Sequence, residues 1–168
     1  MKELFLIRHA KSSWDFPDLD DHDRPLNKRG KSDAPLMADV LKEKNIYPDL
    51  ILSSTAVRAI KFAKIIAKKL NYEKNKILSS RDFYLASVSE LINELRSLDS
   101  KYNSVFFVGH NPDITSLANY LSNKDIDNIP TSGIVAVEFD INDWNELDKN
   151  KGKFNFFIYP KMFYDKFI

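Results

Sequence analysis

The sequence predicts an α/β fold, a three-layer α/β/α sandwich with a mainly parallel central sheet. Short apolar runs rich in β-forming residues alternate with segments in which apolar residues recur every three or four positions. Polar side chains also follow directly after three of the apolar runs, at the edge of such a sheet where ligands bind.

The 168 residues have an ordinary globular composition, which predicts one domain over residues 1–168. The formal net charge of +1 gives no general attraction to nucleic acid, and the chain has no cysteine for a disulfide or a thiolate. No stretch approaches the roughly 20 apolar residues that cross a bilayer, and the N-terminal apolar run is too short for a signal peptide. We therefore expect a cytoplasmic protein without a nucleic-acid or membrane partner, and separately we expect a monomer.

The first half of the chain predicts two strands and two helices. Residues 3–8 form a buried strand that ends at Arg8, and the polar segment from Lys11 to Lys31 is predicted to be a long loop. A helix is expected from Asp33 to near Asn45, with Pro35 in its first turn. Residues 50–54 predict a second strand, and the helix after it carries Arg58 in its first turn.

The second half predicts two further helices and three strands. Ser87 lies three residues before Glu90, the spacing of a capping box at a helix start. Residues 105–108 predict a buried strand, and Asn111 and Pro112 are expected to be the N-cap and first residue of the next helix. The last two strands are predicted in GIVAVEFDI and KFNFFIYP.

The carboxyl ends of parallel strands meet at one edge of a sheet. Arg8-His9, Arg58 and His110 follow three different predicted strands, so we expect them to share that edge. A neutral histidine can attack phosphorus, arginine forks bind phosphate oxygens, and a second imidazole can donate to the transferring group. These residues therefore predict a phosphate site that needs no metal.

Each of these residues alone has an ordinary structural explanation: Arg58 as a solvated helix residue, His110 as a residue that satisfies a turn. The ordered set is what favours a catalytic site. At this point the sequence resembles the histidine phosphatase superfamily, which includes phosphoglycerate mutases, and most closely its SixA-type phosphohistidine phosphatases. The matching motifs are LIRHAKS, DRPLNKRG, ILSSTAVRAIKFA and FFVGHNPDI.

The resemblance implies the phosphoglycerate mutase-like fold and assigns roles to individual residues. His9 would be the phosphorylated nucleophile, Arg8 and Arg58 phosphate ligands, and His110 the second histidine. Three further residues are expected to contact the substrate or its phosphate, namely Arg24, Ser12 and Asn111. No cofactor and no metal are expected.

The sequence departs from the family pattern at two places. Ala10 replaces the commoner glycine after the first histidine, so the backbone there must avoid a positive φ. Members that act on alcohol phosphates use a carboxylic acid as proton donor; the candidates here are Asp82 and Asp15, and Asn111 stands where one branch has an aspartate. A weak or missing acid favours phosphoramidate substrates, whose leaving nitrogen is more easily protonated.

The acidic cluster of the long loop has two interpretations. Asp18, Asp20, Asp21 and Asp23 form either a solvated surface or an acidic rim that selects among substrates. His22 lies among them, but the histidines lack the spacing of a metal site, so a metal is disfavoured.

The sequence therefore predicts a metal-independent phosphatase with a phosphohistidine intermediate on His9. Its expected partner is a phosphorylated protein that carries phosphohistidine, or a small phosphorylated substrate. The alternatives are a non-catalytic phosphate-recognising binding module and a small-molecule phosphomonoesterase. A mutase is disfavoured because it needs a carboxylic acid for its alcohol leaving group.

Overall fold

The computed structural model describes residues 1–166, so the last two residues of the predicted domain lie outside the described residues. The strands are β1 (Lys2–Arg8), β2 (Leu50–Ser54), β3 (Leu78–Ser80), β4 (Ser104–Gly109), β5 (Ile134–Phe139) and β6 (Lys153–Ile158). The α-helices are α1 (Lys28–Glu43), α2 (Val57–Lys69), α3 (Val88–Arg96) and α4 (Asp113–Ser122).

The strands form a single sheet in the order β3-β2-β4-β1-β5-β6. Strands β3, β2, β4 and β1 are mutually parallel, whereas β5 runs antiparallel to both of its neighbours. The predicted mainly parallel sheet is confirmed. The sequence analysis missed β3, a three-residue edge strand with two exposed residues, because it lacks a buried apolar run.

Helices cover both faces of the sheet. Phe5 and Ile7 pack into the core beneath α1 and α2, whereas Leu4 and Leu6 pack into the core beneath α3 and α4. Successive side chains of a strand point to opposite faces, so a strand covered on both sides is apolar throughout. Each such side chain, once buried, stabilises the fold by about 1.5–3 kcal/mol. The predicted three-layer α/β/α sandwich is confirmed.

Helix α1 begins earlier than predicted. The Oδ1 atom of Asn27 accepts a hydrogen bond from the amide of Gly30 at 2.8 Å, which caps the helix before Lys28. The predicted start at Asp33 was wrong, and Pro35 lies inside the helix instead of in its first turn. The predicted loop is correspondingly shorter.

The predicted cap of α4 was also wrong, whereas that of α3 is confirmed. Helix α4 begins at Asp113, and Pro112 occupies its N-cap position without a side-chain cap. The Asn111 amide makes other contacts, and its Oδ1 atom accepts from the hydroxyl of Thr115 at 2.7 Å. In α3, Ser87 Oγ accepts from the Glu90 amide at 3.2 Å as predicted. None of the helices within residues 1–166 is long and apolar enough to cross a membrane.

Candidate active site

The register of β1 and β4 brings the two histidines side by side. Arg8 pairs with Gly109 in the parallel ladder, and the amide of His9 continues the ladder by donating to Gly109 O at 3.0 Å. His9 and His110 are the next residues along each strand, and their ring centroids lie 5.0 Å apart. The sequence expectation of a shared sheet edge therefore matches the geometry.

His9 has one ring nitrogen engaged and one free for chemistry. Its Nδ1 lies 2.7 Å from the carbonyl oxygen of Ala10, so Nδ1 carries the proton and donates, and the lone pair is on Nε2. Burial, helped by the nearby His110 and arginine charges, lowers the pKa of His9 to about 3 although the bond to Ala10 opposes this. The ring is therefore neutral at physiological pH. Ala10 has no positive φ, as its side chain requires.

His110 is oriented by Ser54 at the end of β2. The Nε2 atom of His110 lies 2.8 Å from Ser54 Oγ, and the same oxygen accepts from the amide of Ala56 at 3.1 Å. We assign the serine proton to a bond with Nε2, which makes Nδ1 of His110 the N–H donor. That Nδ1 atom is buried and has no hydrogen-bond partner. Burial and the charge of Arg58 lower the pKa of His110 to about 3.

Arg8 and Arg58 each keep a buried Nε without a hydrogen-bond partner. Arg8 Nη1 donates to the carbonyl of Ile129 at 2.9 Å, while Arg58, in the first turn of α2 as predicted, donates to Asp21 through Nη1 and Nη2 at 2.6 and 2.8 Å. Burial and the charge of Arg58 lower the pKa of Arg8. Two fixed guanidiniums therefore offer donors beside the histidines.

Asp21 binds both Arg24 of the loop and Arg58 of helix α2, a role that the sequence analysis missed. Its carboxylate accepts from Arg24 at 3.0 Å, from Arg58 at 2.8 Å and from the hydroxyl of Tyr84 at 2.5 Å. Burial would raise the pKa of Asp21, but hydrogen bonds from Tyr84 and Arg58 lower it well below its usual range. Asp21 is therefore ionised. The three-residue spacing between Asp21 and Arg24 could have indicated an ion pair. It was not recognised because Asp21 is one of several neighbouring aspartates.

A cavity of about 380 Å³ opens beside His9. Its lining contains no aspartate or glutamate; it consists of Arg8, His9, Lys11, Ser12, Trp14, Arg24, Arg29, Asn128, Pro130 and Thr131. Ser12 and Arg24 were predicted to contact substrate, and both line this cavity.

The other predicted site residues do not line this cavity, Arg58 and His110 included. The Asn111 amide donates to Asn128 and to the carbonyl of Ile129, so it holds the loop that also receives Arg8. Asp82 is exposed in the turn Arg81–Phe83, and Asp15 is exposed beside a separate cavity. Neither candidate proton donor lines the cavity of His9.

His22 uses both ring nitrogens within the protein. Nδ1 lies 2.8 Å from Asp23 Oδ1, and Nε2 lies 2.8 Å from the hydroxyl of Thr55. Among residues 1–166, no group of three histidine, cysteine or acidic side chains is arranged to hold a metal ion. The metal independence of the activity stays a prediction.

Comparisons with known proteins agree with this fold. The model of the histidine phosphatase superfamily (branch 1) matches residues 4–85. An uncharacterised chloroplastic protein of Arabidopsis thaliana is 32% identical over 153 residues, which are 86% of this chain and 70% of that protein. A structure from Agrobacterium tumefaciens, assigned as a phosphohistidine phosphatase SixA, is 27% identical with a TM-score of 0.82 and covers 95% of this chain and 98% of its own.

A second solved structure shows the same fold. The protein histidine phosphatase SixA complexed with tungstate is 23% identical, has a TM-score of 0.81, and covers 95% of this chain and 98% of its own. The α/β fold is that of the phosphatase class, and the chain belongs to the histidine phosphatase superfamily. Within it the chain is of the SixA type. The family and the SixA folds support phosphatase activity on phosphorylated substrates.

Proposed function

We propose that the chain is a metal-independent phosphatase that transfers the phosphoryl group of its substrate first to His9 and then to water. One observation carries this proposal: Nε of Arg8, Nε of Arg58 and Nδ1 of His110 are buried donors without a partner. All three residues lie close enough to His9 to lower its pKa. Donors that are buried unsatisfied cost about 1–3 kcal/mol each, and a phosphoryl anion beside His9 would satisfy them.

The reaction has two displacement steps. Neutral Nε2 of His9 attacks phosphorus, so that an N–P bond forms while the bond to the leaving group breaks and the leaving atom takes a proton from solvent water. Water then attacks phosphorus and releases a proton to solvent, the N–P bond breaks, and inorganic phosphate and neutral His9 remain. Arg8, Arg58 and His110 stabilise the negative charge on the transferring oxygens in both steps.

The substrate class follows from the missing acid. The carboxyl of Asp21 is held ionised by Tyr84 and Arg58, and no carboxylate lines the cavity of His9. A leaving alkoxide needs a proton from a nearby acid, whereas the imidazole of phosphohistidine is protonated readily. We therefore propose phosphohistidine in a protein, or another phosphoramidate, as the substrate. The cytoplasmic location, the monomeric state and the single domain stay predictions.

The test is hydrolysis of a phosphohistidine-containing carrier protein beside p-nitrophenyl phosphate, in the presence of EDTA. We expect the phosphoramidate to be preferred and His9→Ala to abolish release of phosphate. Lys69→Ala, which removes a surface ion pair to Asp39, is the matched control and should keep full activity.

Two results would contradict the proposal. A folded protein that binds phosphate but releases none from either substrate would be a phosphate-binding module. Activity that EDTA removes and a divalent metal restores would exclude the metal-independent mechanism.

A further inference from the structure

The cavity beside His9 carries more positive charge than the transfer of one phosphoryl group uses. Four of its ten lining residues are cationic: Arg8, Lys11, Arg24 and Arg29. Arg8 binds the phosphoryl group in the proposed function, and all three guanidinium nitrogens of Arg24 already donate, to Asp21 and to the carbonyl of Ser13. Lys11 and Arg29 are left without a role in that reaction.

The two remaining cations are available to a ligand. Within residues 1–166, Nζ of Lys11 has neither a hydrogen-bond nor an ion-pair partner. Nε of Arg29 donates to Asp33 at 3.3 Å, and 51% of the Arg29 side chain remains exposed. The neighbouring Tyr164 and Asp33 raise the pKa of Arg29, so its guanidinium stays charged.

The backbone holds Lys11 and Arg29 next to each other. A Cβ atom on Gly30 would lie only 2.1 Å from the carbonyl oxygen of Lys11, so glycine is required for this contact. The same carbonyl accepts from the amide of Asn27 at 3.0 Å, immediately before α1. The backbone segments that carry both cations are therefore held together before a ligand arrives, which lowers the entropy cost of binding.

We propose that Lys11 and Arg29 form a subsite for a second anionic group of the substrate, a carboxylate or a phosphate carried by its leaving group. The subsite rests on the proposed function only in placing the phosphoryl group at His9. Trp14 forms the adjoining wall, because its ring stacks 3.5 Å from the guanidinium of Arg24 while 77% of the residue stays exposed. The substrate is thus at least doubly anionic, with both anions within one cavity.

The test compares binding of phenylphosphonate with that of 3-carboxyphenylphosphonate by titration calorimetry, since neither compound can be hydrolysed. We expect the carboxylated compound to bind the native protein about tenfold more tightly, as a charge-assisted hydrogen bond would give. Lys11→Met should remove most of that preference and leave the affinity for phenylphosphonate within about twofold.

Two further variants keep the test decisive. Lys31→Met removes a charge from an exposed position of α1 outside the cavity, so it should keep the preference. Arg29→Gln should reduce the preference, and thermal denaturation shows whether it remains folded without its ion pair to Asp33. If it unfolds, Lys11→Met alone decides.

A second pair of ligands distinguishes the source of the anion. Two peptides carry a stable phosphoryl-triazole analogue of phosphohistidine. They differ only in the next residue, which is glutamate in one and glutamine in the other. If the glutamate peptide binds more tightly and Lys11→Met removes this preference, the second anion belongs to a phosphorylated protein. If only 3-carboxyphenylphosphonate is preferred over phenylphosphonate, the second anion belongs to a small molecule. No preference in either pair, or one that survives Lys11→Met, overturns the subsite. Because binding is measured without turnover, an inactive protein that keeps the preference would contradict the proposed function and not the subsite.

Discussion

The Nδ1 atom of His9 lies 2.7 Å from the carbonyl oxygen of Ala10, the next residue along the chain. This short contact fixes the ring orientation and its tautomer, so that the lone pair is on Nε2. The arrangement needs no third residue to orient the ring, because the backbone at the end of β1 supplies the acceptor. The chemistry proposed for the site depends on this one relationship.

The first prediction concerns stability in acid. His9 and His110 have pKa values of about 3 in the folded protein, against an ordinary value of about 6.5 in the unfolded chain. Between these pH values the unfolded chain binds more protons, so the free energy of unfolding falls as the pH falls. Each histidine contributes about 1.4 kcal/mol per pH unit to that fall.

Urea denaturation at pH 7 and pH 4.5 measures this effect. We expect the native protein to lose about 2–3 kcal/mol more than His9→Gln between the two pH values, because the variant lacks one of the two titrating groups. Equal losses in the two proteins would show that His9 is not held neutral by the fold.

Ser54 is predicted to act by positioning His110. Its hydroxyl lies 2.8 Å from Nε2 of His110, so Ser54→Ala should lower kcat about tenfold and change KM little. Ser54→Thr should restore most of kcat, since it keeps the hydroxyl. Ser53→Ala is the control, because the Ser53 hydroxyl donates to the backbone of Ser54 at 2.8 Å. If the Ser53 variant is as impaired as the Ser54 variant, general damage to β2 explains both.

Asp21 is predicted to hold Arg58 in place. Asp21→Asn keeps the backbone carbonyl that binds Nη1 of Arg58 but weakens the bond to Nη2. We expect kcat/KM to fall about tenfold, because Arg58 loses its fixed orientation toward the transferring phosphoryl group. Asp23→Asn in the same turn should be nearly neutral, since Asp23 contacts His22 instead. Increased activity of Asp21→Asn would instead identify Asp21 as a competitor of phosphate.

Gly30 is predicted to reverse the usual effect of alanine in a helix. Replacing a helical glycine by alanine ordinarily stabilises a helix by up to about 1 kcal/mol, and Gly30 is the third residue of α1. Here the new Cβ would lie 2.1 Å from the backbone oxygen of Lys11, so Gly30→Ala should destabilise the protein by about 1–3 kcal/mol. Urea denaturation measures the change, and the exposed Ser32→Ala in α1 should differ from native by less than about 0.5 kcal/mol. A stabilised Gly30→Ala would contradict the close contact.

Much of the fold was predictable because buried strands and amphipathic helices leave distinct patterns. The direction of β5 was not, since its alternation of side chains is the same in parallel and antiparallel pairing. The start of α1 was missed because the capping signal of Asn27 lies inside a polar, proline-containing segment. Pro35 was placed in a first turn, although the helix accommodates it in its interior.

The central histidines and arginines could be found from the sequence because each follows a recognisable strand or opens a helix. Asp21 and Tyr84 could not, because their roles come from contacts between segments 63 residues apart. The cationic lining at Lys11 and Arg29 was hidden for the same reason, because only the close backbone approach at Gly30 brings these two segments to the same cavity.

A phosphohistidine intermediate on His9 is tested most directly by trapping the phosphorylated protein. The native chain is mixed with a phosphoramidate donor, quenched rapidly in alkali, and the modified residue is located by mass spectrometry. We expect an alkali-stable, acid-labile phosphoryl group on His9, retained in His22→Gln and absent from His9→Ala. A phosphoryl group on His110 or His22, or rapid turnover with no phosphorylated protein at any time point, would contradict the mechanism.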